Sequence, residues 1–225
     1  MVAATKLRRF QTRAVTSRPY ALEIVGMLER LAGTMGERLA EHPLFHRGGA
    51  EKPTGVVLGT SDRGLCGAYN SNVLRELERW LAERDEQRVE FYVFGRKGYQ
   101  YLMKRGLKVA RLIVDPPLEK VDYRAAKLMA RAILPRAEEA PRFDEVWLLY
   151  TAYESAARFV PRWAKLVPIE LGGADASVSD VLLQPSMDEL IRRLVPRYLE
   201  ARLYNALLES VASEYAMRRI SMKNA

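Results

Sequence analysis

From Leu190 to Met222 the inward-type positions recur at alternating steps of four and three: Leu190, Leu194, Arg197, Ala201, Tyr204, Leu208, Val211, Tyr215, Arg218 and Met222. That is a heptad seam, and a heptad seam calls for a second helix alongside. The other end of the chain supplies one. Leu7, Phe10, Ala14, Ser17, Ala21, Ile24, Leu28, Leu31 and Met35 repeat with the same rhythm. The pattern predicts that residues 1–47 and 185–225 pair as an antiparallel coiled coil. The N-terminal helix is read over residues 2–41, with a bend near Pro19, because proline removes a backbone hydrogen bond. The C-terminal helix is read as starting at Pro185. Leu190, Leu194, Leu208, Leu28 and Leu31 are the expected anchors of the pair. Arg197, Arg218 and Ser17 mark turns that should be looser or point outward.

Between the two ends, residues 53–175, the pattern changes. Gly55–Gly59 reads as a short buried strand, Val89–Phe94 as a second, Val109–Val114 as a third, Glu145–Tyr153 as a fourth, and 158–168 contains a fifth. Helices are expected from Asn70 or Ser71, as N-cap, to about Arg84, from Gly95 to Arg105, and from Tyr123 to Glu138. Strands alternating with helices imply a mostly parallel sheet with right-handed crossovers. The last two strands have no helix between them, so an antiparallel edge is expected. The fold class is therefore α/β: a terminal helix pair carrying an inserted αβα domain. A linker is expected at 171–176 and one more apolar turn or strand at Val181–Leu183.

Composition adds charge and compartment. The 225 residues carry a formal net charge of +8, which points to an acidic partner. The excess basic residues on the first helix include Lys6, Arg8, Arg9, Arg13 and Arg18; they form either a solvated face or an electrostatic collar for that partner. One cysteine, Cys66, excludes an internal disulfide and fits a reducing compartment. The sequence has neither a secretory signal nor an apolar run long enough to span a bilayer, so direct membrane insertion is not expected.

Candidate chemistry is thin. Ligands of doubly wound sheets bind beyond the carboxyl ends of strands, which selects the loop from Gly59 to Gly67. Gly59 and Gly64 have P-loop spacing, but Leu65 and Cys66 stand where Lys and Ser/Thr are required. The loop is then either a tight glycine turn with Asp62 and Arg63 in local contacts, or a docking loop. His42 and His46 lack a carboxylate frame for a metal. Trp80, Trp147 and Trp163 read as core or sheet-face aromatics. No cofactor is implied. Two other readings stay open at this point. One is a small-molecule or nucleotide-binding enzyme with a deep pocket around Asp62 and Arg63. The other is a nucleic-acid-binding protein, against which the aromatics are not interleaved with Lys and Arg on one element.

Four stretches resemble the gamma subunit family of rotary F-type ATP synthase. Met1 to Arg9 is similar to its M-V-A-A-x-K-L-R-R, and Arg18-Pro19-Tyr20 to its R-P-Y. Ser61 to Gly67 with Asn70 to Asn72 is similar to its S-D-R-G-L-C-G-x-x-N-x-N. Ser213 to Ala225 is similar to its S-E-x-x-x-R-x-x-A-M-x-x-A. The resemblance implies a non-catalytic central rotor shaft that couples proton flow through the membrane sector to ATP synthesis. It implies a bent coiled coil inside a ring of alpha and beta subunits, and a Rossmann-like domain beside the epsilon subunit and the ring of c subunits. It implies no nucleic-acid partner and a peripheral position on the cytoplasmic face of the bacterial plasma membrane. Lys6, Arg8, Arg9 and Arg13 would meet the catalytic ring. Ser61, Asp62, Arg63, Gln184 and Pro185 would lie at the foot. Leu7, Phe10, Ile24, Leu28, Leu31, Leu190, Leu194, Tyr204, Leu208 and Val211 would form the seam. Family members carry further residues at both ends, so the span here would lack the shaft tip. Gln184 departs from a common Glu, and Ser221 from the Ala before the last Met.

Overall fold

The computed structural model describes residues 2–35, 42, 44–46, 52–134, 141–155, 158–170 and 187–224. The end of the first predicted helix (36–41), the 171–176 linker, Val181–Leu183, Gln184 and Pro185 lie outside the described residues. Helix α1 is Val2–Met35 and runs through Pro19. Then follow β1 (Thr54–Gly59), α2 (Tyr69–Leu81), β2 (Val89–Phe94), α3 (Arg96–Lys104), β3 (Val109–Ile113), α4 (Tyr123–Ile133), β4 (Glu145–Tyr153), β5 (Phe159–Val167) and α5 (Met187–Asn224).

The five strands form one sheet in the order β3-β2-β1-β4-β5. β1 pairs in parallel with both β2 and β4, and β2 pairs in parallel with β3. Only β4 and β5 are antiparallel. Successive side chains of a strand point to opposite faces, and the burial follows that rule. Val57, Tyr92 and Leu148 face one core with α1, α4 and α5. Val56, Leu58, Phe91, Val93 and Leu149 face a second core with α2 and α3. A central strand covered on both sides has to be apolar throughout, which is why Gly55-Val56-Val57-Leu58-Gly59 reads as an unbroken run.

Along the margin of β4 and β5, Trp163 stacks on Trp80 (4.8 Å between centroids) and meets Trp147 edge-on. Arg84 lies over Trp80 and Lys165 over Trp147. All three are half-buried, Trp147 and Trp163 on the sheet and Trp80 on α2 packed against it.

Helices α1 and α5 run antiparallel in close contact. Phe10 stacks on Tyr215, whereas Arg13 and Ser17, further along α1, meet Tyr204 and Asn205, earlier in α5. On α1, Leu7, Phe10, Ala14, Ala21, Ile24, Leu28 and Leu31 are buried. Ser17 neither loosens its turn nor points outward, because its hydroxyl donates to Asn205 Oδ1. On α5 the heptad reading needs correction. Ala201, Leu208, Val211 and Tyr215 are buried and Tyr204 is half-buried, but Leu190 and Leu194 are only half-buried and Arg197 and Met222 are exposed. Ile191, Val195 and Leu199 take the inner positions instead. Two causes act together. A straight helix of 3.6 residues per turn drifts about 20° per heptad away from a 3.5 repeat. More importantly, α5 has neighbours on several sides: α1, α4 and β4. From Tyr198 to Ala216 it therefore buries Leu199, Leu203 and Leu207 as well as Leu208 and Val211.

The burial pattern orders the cost of truncation. Ile191→Ala and Leu208→Ala should each lose about 2–5 kcal/mol, the range for emptying a buried aliphatic site. Leu190→Ala, partly in water already, should lose about 1 kcal/mol. Urea titrations of the three variants check the order; a two-helix seam alone would rank Leu190 above Ile191.

Candidate partner-binding surfaces

In an open sheet of this kind the ligand crevice lies where the strand order reverses, here between β1 and β4. α5 occupies it. Thr151 N–H at the end of β4 donates to Ser210 Oγ (3.3 Å), Ser213 Oγ donates to Thr151 C=O (3.4 Å), and Tyr153 N–H donates to Glu209 (3.3 Å). A Cβ on Gly59 would touch Ser210 Oγ at 3.5 Å. Small hydroxyl residues let the helix approach the strand ends closely and satisfy polar groups that a ligand would otherwise meet.

The loop after β1 is held from several sides. The Thr60 hydroxyl donates to Phe94 C=O (3.1 Å) and accepts from Gly98 N–H (2.8 Å). Gly95 has φ +93°, and a Cβ there would collide with the Thr60 carbonyl. Asp62 accepts from Arg96 N–H at the start of α3 (3.2 Å) and from Leu118 N–H (2.8 Å). Asn70 is not the cap of α2; the cap position is Ala68, with no side-chain bond. The Asn70 amide turns back to the loop, accepting from Ser61 N–H (3.0 Å) and donating to Cys66 Sγ (3.3 Å). Cys66 is buried, as is Ser61. The Ser61 hydroxyl closes the turn onto Arg63 C=O (2.7 Å). Arg63 is exposed.

The basic residues of α1 split into two kinds. Lys6 pairs with Glu119 (3.1 Å), the carboxylate that also takes Arg63 and the Tyr215 hydroxyl (3.1 Å). Arg13 donates to Tyr204 OH (2.6 Å) and to Val121 C=O (3.1 Å). Both side chains bind α1 to the rest of the molecule. Arg8 and Arg9 are exposed and, with Thr5 and Thr12, border a shallow depression on α1. One carboxylate thus joins Lys6 to Arg63. The α1 collar and the 61–63 loop are neighbours, not opposite ends of the molecule. The sequence reading separated them because nothing in it places Glu119. Gln184 and Pro185 lie outside the described residues.

Beside this clasp is a cleft of about 200 Å³, bordered by Asp62, Arg63, Arg96, Glu214 and Arg218. Glu214 is buried and pairs with Arg218 (2.6 Å). Burial pushes the Glu214 carboxyl up, against the pull of Arg218. Arg218, read as a seam residue that would point outward, bridges this carboxylate and the carbonyl of Gly64 (3.2 Å). Arg218 and Arg63 of this cleft are paired with Glu214 and Glu119, and Asp62 satisfies the start of α3. His42 accepts from Leu44 N–H (3.3 Å) and sits edge-on to Phe45, in a local turn. Among the described residues, no three His, Cys, Asp or Glu side chains gather as a metal site, and no helix is long and apolar enough to cross a membrane.

Glu119 sets a pH signature. Burial disfavours its charge, but hydrogen bonds from Lys6 and Tyr215 outweigh that and hold its carboxyl below the ordinary 4.5. A lowered carboxyl contributes stability above its unfolded value and loses it as pH falls through the folded one. Glu119→Gln should therefore cost on the order of 1 kcal/mol at neutral pH, the modest figure reflecting screening of a partly exposed cluster. The difference from wild type should shrink as pH falls below 4.5. Thermal melts across that range measure it.

The family model described as ATP synthase matches residues 1–225. ATP synthase gamma chains are similar in sequence. That of Brevibacillus brevis is 34% identical over 229 residues, covering 100% of this chain and 78% of the relative. That of Geobacter metallireducens is 35% identical over 229 residues with the same coverage. Among solved structures, the central stalk and c-ring structure of the Tetrahymena thermophila mitochondrial ATP synthase contains a chain that superimposes with a TM-score of 0.74 at 25% identity. The match covers 100% of this chain and 96% of that one. The rotor of the Euglena gracilis enzyme shares the fold at a TM-score of 0.57 and 15% identity. A helix pair formed from the two ends of the chain, a sheet whose ligand crevice is filled by one of those helices, and matches along the whole length agree: the chain belongs to the ATP synthase gamma chain family, the central stalk of that enzyme.

Proposed function

We propose that the chain is a non-catalytic rotating shaft. In this reading α1 and α5 work as a bent antiparallel coiled coil, and the Rossmann-like αβα domain is its mounting. The observation that carries the reading is α5 itself, which is at once partner to α1 and filler of the crevice at the strand ends. Torque applied to the sheet reaches the helix pair through buried contacts, without a hinge of exposed loop. The same burial removes the place where a nucleotide would sit, which speaks against the small-molecule enzyme.

The shaft turns inside the ring of alpha and beta subunits. The epsilon subunit and the c-subunit ring hold the other end, peripheral to the cytoplasmic face of a bacterial membrane, and proton flow drives ATP synthesis. No nucleic acid, cofactor or metal has a role in it. Arg8 and Arg9 are the ring-facing charges; Arg63 joins that side because Glu119 ties it to Lys6, and Asp62 through its bond from Leu118 N–H beside Glu119. Lys6 and Arg13 are structural. The foot contacts then fall elsewhere, Gln184 and Pro185 among the candidates.

Reconstitution of the chain with alpha and beta subunits tests the assignment, with ATPase activity followed in its presence and absence. Arg8→Glu with Arg9→Glu should weaken assembly about 10-fold at low salt, less at high salt, and leave the melting temperature unchanged. Lys6→Glu and Arg13→Glu should instead lower the melting temperature by several degrees, because each leaves a buried-side partner unpaired. Equal effects of the two pairs on assembly, with no difference in melting, would return all four to a single collar.

A further inference from the structure

α5 is held by two kinds of contact, and only one of them can tell one turn of the helix from the next. Val195, Leu199, Leu203, Leu207 and Val211 recur every four residues and are all buried. A slide of α5 by four residues, either way, would exchange aliphatic for aliphatic along most of that row. Burial of apolar surface is non-directional, so this packing grips α5 without choosing its register.

The end of β4 supplies what the packing lacks. β4 outruns β1: their last pair is Leu58 with Leu149, and β4 continues to Tyr153. Alternate residues of a strand turn their backbone groups to the same edge. On the edge that β1 has left, Thr151 and Tyr153 therefore need other partners. They find them on α5. Ser210 Oγ accepts from Thr151 N–H (3.3 Å), Ser213 Oγ donates to Thr151 C=O (3.4 Å), and Glu209 accepts from Tyr153 N–H (3.3 Å). Ser210 and Ser213 are fully buried, so water cannot take their place.

The neighbouring registers fail at this point. Slid four residues one way, α5 would bring Ala206 to Thr151 N–H and leave that donor buried and unpaired. Slid four the other way, Glu214 and Met217 would replace the two serines. Both are too large for a place where a Cβ on Gly59 would already touch Ser210 Oγ at 3.5 Å. The polar layer gives little stability in return. The buried hydroxyls of Thr151 and of Tyr69, which lies beside Thr151 and Ser210, make no hydrogen bond among the described residues. A polar position in a helical core can lower stability and still select one register.

We propose that Ser210 and Ser213 are positioning residues that set the register of α5 on the sheet. They select which turn of the helix meets the end of β4, and the aliphatic row holds it there. If the chain is a rotor, this pair fixes the shaft against its mounting. The inference itself needs no partner subunit, so it stands or falls apart from that reading.

The test uses the whole chain with spin labels on Gln100→Cys in α3 and Arg197→Cys in α5, both exposed positions; the native Cys66 is buried. The labelled chain should give one narrow distance. Adding Ser210→Ala and Ser213→Ala should produce a second distance, displaced by up to about 5.4 Å, the pitch of one helical turn. Its melting temperature should fall by only a few degrees. Leu208→Ala in the same labelled chain should do the reverse, with a larger fall in melting temperature and still one distance. A single unchanged distance in the double serine variant would overturn the proposal. So would a split distance in Leu208→Ala, because packing would then set the register. Loss of cooperative unfolding in the double serine variant would make the serines a source of stability and overturn it too.

Discussion

The structure depends on one helix being buried on nearly all sides. Between Tyr198 and Ala216, α5 presents apolar or small residues to α1, α4 and β4 alike. Each fully buried aliphatic contributes roughly 1.5–3 kcal/mol, and Leu199, Leu203, Leu208 and Val211 are fully or almost fully buried. The hydroxyls of Ser210 and Ser213 complete the fit where the helix crosses the strand ends, because a larger side chain could not approach Gly59 and Thr151 so closely. Helix pair and sheet therefore share one core. They are not a rod and a domain joined by a linker. Rigidity between them follows from packing and needs no added brace.

Charge works around that core in a similar economy of parts. Glu119 sits on a short turn between β3 and α4, yet it gathers Lys6 from α1, Arg63 from the loop after β1 and Tyr215 from α5. Asp62 performs the matching task on the other side of the loop, accepting two backbone N–H groups. The Ser61-to-Gly67 motif is thus explained residue by residue. Ser61 closes the turn, Asp62 holds α3 and the 118 segment, and Cys66 fills the interior. Gly67, itself exposed, allows contact with α5, and Arg63, Gly64 and Leu65 form the exposed tip.

Most of the fold was legible because its signals are local. Strands such as Val89–Phe94 and Glu145–Tyr153 appear where the apolar runs predict them, and the antiparallel β4–β5 edge follows from the missing helix between them. The N-terminal stripe was legible because α1 has a single buried face. The C-terminal stripe was only half legible: a helix with neighbours on several sides carries several overlapping stripes, and picking one of them misplaced Leu190 and Leu194 against Ile191 and Val195. The surfaces were least legible. Whether a basic residue faces solvent or a carboxylate more than 100 residues away, as Lys6 does, leaves no local mark.

Pairing the first helix with the last has a consequence during synthesis. Arg13 and Tyr204 are 191 positions apart, and Phe10, Ile24 and Leu28 have no cover until α5 leaves the ribosome. At roughly 5–20 residues per second, the emerging protein spends on the order of ten seconds or more with that greasy strip in the open. The sheet and its α2–α3 layer, whose core involves neither end, can condense in the meantime. A nascent chain of this design therefore carries that strip uncovered until α5 emerges, and α1 finds its place only when α5 packs against it.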